Sequence, residues 1–94
     1  MVAPQIIVAF PSEMPPGAEF TMQVAAIGDR PFDSMTPTDV TFNGAQPVPQ
    51  VRWISIRSPN SMLVRVWVPA TASGPYNLIT RRLTLRDALT VGFP

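Results

Sequence analysis

Proline interrupts this chain so often that it sets the fold class. Twelve prolines are spread along the 94 residues, and the longest stretch without one is Tyr76 to Phe93. An interior helix that meets a proline loses a backbone hydrogen bond and clashes with its preceding turn, at a cost of about 3 kcal/mol. The segments between the prolines are instead rich in Val, Ile, Thr, Phe and Trp. Those residues suit a pleated, half-buried surface.

Gln5 to Phe10 reads as a first strand that stops at Pro11, and Pro11 to Gly17 holds only turn residues. Phe20, Met22, Val24 and Ala26 alternate with Thr21, Gln23 and Ala25. That is a second strand with one buried face, ending at Gly28. Asp29 to Thr38 reads as a polar loop, Asp39 to Phe42 as a short third strand and Asn43-Gly44 as a turn. Pro47 and Pro49 confine the following strand to a sheet edge. Val51 to Arg57 and Met62 to Val68 read as a hairpin around Ser58-Pro59-Asn60-Ser61. Ile54 and Ile56 opposite Val66 and Val64 would make one apolar face, with Trp53 opposite Trp67 and Ser55 opposite Arg65 on the other. This register requires a connection of odd length. Gly74-Pro75 turns into Tyr76 to Thr80, Arg81 to Asp87 forms a polar corner, and Ala88 to Phe93 is a last strand. About seven short strands at this spacing predict an all-β chain, a single immunoglobulin-like antiparallel β-sandwich over residues 1–94.

Composition narrows the chemistry. Hydrophobic residues make up 46% and charged residues 14%, enough apolar surface to bury one core and too little charge for a disordered segment. The chain has no Cys, His or Lys. Thiolate chemistry is excluded, and Ser and Thr lack their usual activating bases. A non-catalytic protein without a cofactor is expected. Glu13, Glu19, Asp29, Asp33 and Asp39 lie in or beside loops, where solvated turn roles compete with any catalytic carboxylate pair. Asp29, Asp33 and Asp39 share one region and are the only metal candidates, for calcium. Their spacing matches no defined calcium loop, and Arg30 sits among them. Seven Arg against six acidic residues leave a net charge of +1. That is too small a surplus to hold nucleic acid by its backbone. The longest uncharged stretch, Val66 to Thr80, is too short and too broken to span a bilayer. Met1 to Ser12 lacks a basic leader and is interrupted by Pro4 and Pro11, so it does not read as a signal peptide.

The second half carries three linked pieces: Met62-Leu63-Val64-Arg65-Val66-Trp67-Val68-Pro69, then Gly74-Pro75-Tyr76-Asn77-Leu78, then Asp87-Ala88-Leu89-Thr90-Val91. Together they resemble the IPT/TIG group of immunoglobulin-like domains. Pro16-Gly17 ahead of Phe20-Thr21-Met22-Gln23-Val24 is similar to that group's second strand, and Val40-Thr41-Phe42-Asn43-Gly44 to its third strand and turn. The chain departs from the group after the second strand, where Ile27-Gly28-Asp29 leads into a long loop instead of Gly-x-Phe. The resemblance implies a spacer or binding module.

Three features point to contact with a partner. Trp53 and Trp67, with Arg57 and Arg65 nearby, would make an apolar and cationic patch of the kind enriched in binding hot spots. Arg81 and Arg82, with Arg86, would meet an acidic group or form a solvated corner. The apolar first strand, including Ile6 and Val8, would offer an edge for pairing with another chain. The function expected is that of a virion accessory protein that decorates or cements a phage capsid. Its partner would be the major capsid protein, another repeated shell subunit or its own copies. The alternative is a spacer or glycan-binding module of a larger bacterial surface or secreted protein, with the Trp pair as a stacking platform.

Overall fold

The computed structural model describes residues 5–28, 31–32, 34–80 and 83–92. Eight strands form two four-stranded sheets packed face to face. They are β1 (Gln5–Phe10), β2 (Glu13–Met14), β3 (Glu19–Ile27), β4 (Thr41–Asn43), β5 (Gln50–Ser58), β6 (Ser61–Trp67), β7 (Gly74–Ile79) and β8 (Thr84–Val91). The first sheet runs β1-β3-β6-β5 and the second β2-β8-β7-β4. All pairs are antiparallel except β2 with β8. This partition is the strand arrangement of an immunoglobulin-like sandwich, in which the first strand leaves one sheet and joins the other. The segment from Pro11 to Gly17 is therefore more than turn. Its short β2 lies along the end of β8, with the Thr90 amide donating to Ser12 O at 2.7 Å and the Gly92 amide to Met14 O at 3.2 Å.

Alternation builds the core. Phe20, Met22, Val24 and Ala26 of β3 point inward beside Met62, Val64 and Val66 of β6. They meet Phe42, Tyr76, Leu78, Leu89 and Val91 of the second sheet. Burial of such side chains contributes about 1.5–3 kcal/mol each. The β3–β6 pair is regular along its whole length. Tyr76 ties the layers to the connection between β4 and β5: its hydroxyl donates to Pro47 O and accepts from the Ser73 amide, each at 3.2 Å. A Cβ on Gly44 would lie 2.6 Å from the Tyr76 ring, so the connection needs glycine for close approach there.

The segment expected as a polar loop does core work. Phe32 is fully buried and Met35 nearly so. The Phe32 amide donates to Pro59 O at 2.9 Å, fixing this segment against the β5–β6 turn. Asn60 completes that corner by donating to Ala26 O and Gly28 O.

The hairpin forms, but two residues out of the expected register. Ile54 opposes Val64 and Ile56 opposes Met62, while Trp53 opposes Arg65, Ser55 opposes Leu63 and Trp67 opposes Gln50. The turn holds only Pro59 and Asn60 between paired Ser58 and Ser61. Irregularities between Val51 and Trp53 and between Ile56 and Ser58 absorb the difference. A slip of two keeps Trp53, Ile54, Ser55 and Ile56 on their intended faces, because the side-chain period is also two. As expected from Pro47 and Pro49, β5 is an edge strand.

Candidate interaction face on the first sheet

The outward side of the first sheet gathers most of the expected binding residues. Its rungs follow from the pairing. Glu19, Trp67 and Gln50 make one, and Thr21, Arg65 and Trp53 the next. Phe10, Gln23, Leu63 and Ser55 make a third, and Val8, Ala25 and Ser61 a fourth. Exposed apolar side chains are concentrated here: Phe10 is 66%, Val8 47% and Trp53 43% accessible.

One end of the face is charged and ordered. Glu19 Oε2 accepts from both Nε and Nη2 of Arg65 at 3.1 Å, and Arg65 Nη1 donates to Thr21 Oγ1 at 3.1 Å. Glu19 Oε1 also lies 3.7 Å from Arg52 Nε. The Arg52 guanidinium sits 5.1 Å from the centre of the Trp67 ring. One carboxylate thus anchors two arginines, one of which covers an indole by a cation–π contact. Trp67 is half-buried in this cluster and Trp53 is exposed beside it, so the two indoles do not form the expected facing pair.

The other end is an open groove of about 360 Å³. Val8, Phe10, Ala25 and Leu63 supply its apolar walls, and Arg57, Gln23 and Ser61 border it. The face provides apolar area, guanidinium donors and neutral hydrogen-bonding groups.

Two expected residues need correction or relocation. Ile6 is 6% exposed and belongs to the core, not to an edge contact. The cause is a bulge: Ile6 pairs with Ala26 and Val8 with Ala25, leaving Ile7 without an opposing residue. The extra residue shifts the alternation, so Ile6 faces inward while Val8 and Phe10 face outward. Arg65 is on the face as expected but is already held by Glu19 and Thr21.

Arg81, Arg82, Asp29 and Asp33 lie outside the described residues. Asp39 sits in a short 3-10 turn, Pro37–Asp39, where its carboxylate accepts from the Thr36 amide at 2.8 Å and from the Thr36 hydroxyl at 3.1 Å. This is a turn-capping role for the carboxylate. Among the described residues no group of three acidic side chains comes together.

Sequence reasoning did not place Phe10, Leu63 or Arg52 on the face, and it took Glu19 for a carboxylate beside a loop. Leu63 was visible as the outward partner of a buried alternation. Phe10 was visible by its alternation with Val8, whereas Arg52 was not, because simple alternation misplaces a residue at a bulge. Compared with protein families, curated proteins and solved structures, the chain matches none.

Proposed function

We propose that this protein is a non-catalytic structural module that adheres to other proteins through the outward face of its first sheet. The observation that carries this reading is the concentration of exposed Phe10, Val8 and Trp53 on one sheet face. The opposite outer face is mostly Thr and Asn. Val8 and Phe10 stand on β1 and Trp53 on β5, with Gln23, Leu63 and Arg65 between them. Such a mixture of exposed aromatic, apolar and arginine side chains is the usual composition of a protein contact. The resemblance to IPT/TIG domains supports a spacer or binding role in the same way.

The partner class we favour is a repeated protein shell, with the module decorating or cementing a phage capsid. A small face gives modest affinity at one site, and attachment that spans neighbouring subunits raises it through effective concentration. The glycan-binding alternative loses its two-ring platform, since Arg52 covers the ring of Trp67 and only Trp53 offers an exposed indole.

Size fractionation of the native source, with intact mass read on each fraction, tests the proposal. A 10.3 kDa chain found with very large particles supports it. A chain of that mass found only free overturns it. A much larger mass replaces it with the surface-module reading.

A further inference from the structure

Resting on that docking reading, we infer that the partner presents an acidic segment, with an apolar side chain for the groove and a neighbouring carboxylate for Arg57. Charge complementarity is the argument. The four strands of the first sheet present Arg52, Arg57 and Arg65 outward against the single carboxylate of Glu19. Three of the chain's seven arginines thus stand on this face against one carboxylate, a local surplus larger than the +1 of the whole chain.

Glu19 is committed to Arg65 and Arg52. Arg57 borders the groove and has no carboxylate within ion-pair reach among the described residues. Any surface that covers the groove strips water from this guanidinium, which is costly unless an anion replaces the water. A carboxylate does so through paired N–H donors. Val8, Phe10 and Leu63 lie within the same groove, so the partner's apolar residue sits beside its acid in sequence or in space.

A second copy of this chain is a poor occupant. Two copies stacked through this face would bring their arginines together with no uncommitted carboxylate between them. A partner of opposite charge meets both needs.

The test uses two probes, acetyl-Leu-Glu-Leu-amide and its Gln counterpart, titrated into the full ¹⁵N-labelled chain. The Glu peptide is expected to move the amide signals of Ala25, Arg57 and Leu63 and to bind about fivefold more tightly than the Gln peptide. The advantage shrinks between about 20 mM and about 300 mM salt. Arg57→Gln removes the difference and leaves binding of the Gln peptide intact. Equal affinities at these amides overturn the acidic requirement while leaving the docking face standing. Absence of movement at these amides with either peptide overturns the inference and the docking reading together. A homodimer dissociated by Phe10→Ser overturns the choice of a heterologous partner.

Discussion

The two outer faces of the sandwich are built on the same backbone geometry and carry opposite surfaces. On the first sheet, Trp53 stands exposed beside an arginine–glutamate cluster at one end, and Phe10 and Val8 at the other. On the second, Thr41, Ile79 and Thr84 share a rung, Asn43 faces Asn77, and Pro75, Thr90 and Glu13 form another. Exposed threonines satisfy a strand's β preference without presenting a large apolar patch. The second sheet shows that this fold can finish an outer face in polar residues. The aromatic finish of the first is therefore not a requirement of the fold.

The sharpest way to break this contrast is to remove the aromatic side chains. Phe10→Ser with Trp53→Ser is expected to weaken binding to the partner by roughly 100-fold, the loss of a hot spot. The melting temperature should hardly change, because both side chains are exposed. Cosedimentation with the proposed shell and a thermal melt read the two effects separately. If folding suffers while binding survives, the assignment of the face fails.

A change in the inter-layer tether should do the reverse. Tyr76→Phe leaves Pro47 O and the Ser73 amide without their partner. Denaturant unfolding should report a loss of about 1–2 kcal/mol, with binding unaltered. Gly44→Ala probes the same junction by crowding the Tyr76 ring and should cost about 1–3 kcal/mol.

Smaller effects sharpen the picture. Glu19→Gln releases Arg65 and Arg52 but removes only a solvent-exposed ion-pair cluster. The expected loss of stability is under about 1 kcal/mol and falls further with added salt. Thr41→Ser and Thr84→Ser on the second face should change stability by no more than about 0.5 kcal/mol and leave binding untouched.

Much of this architecture is legible in the sequence. The regular central pair could be read because Phe20, Met22, Val24 and Ala26, and then Met62, Val64 and Val66, alternate without interruption. The Pro47 and Pro49 pair correctly marked an edge. Register failed where one residue is inserted. The irregular steps at Arg52 and Arg57 shift the hairpin pairing, and the step at Ile7 sends Ile6 inward. No local propensity marks these residues as extra; only the partner strand defines them as such. The burial of Phe32 was hidden for a related reason. Its neighbours Asp29, Arg30, Asp33 and Ser34 are polar, and a single apolar residue has no period. The Trp53 and Arg57 contributions to the face were legible from alternation and composition together, while the commitment of Arg65 to Glu19 depends on a contact across 46 residues.

Within the first sheet the irregular steps fall in the edge strands β1 and β5 while the central pair is unbroken, whereas the second sheet has its step between Tyr76 and Leu78 in its central pair. A flat, apolar margin would template another strand, and many copies held close together would then grow into fibres. The inserted residues twist these margins away from a straight hydrogen-bonding row. A concentrated solution of the protein should accordingly stay free of thioflavin-positive aggregates despite the apolar sequence of β1. Crowded copies can then expose a sticky broad side without seeding amyloid.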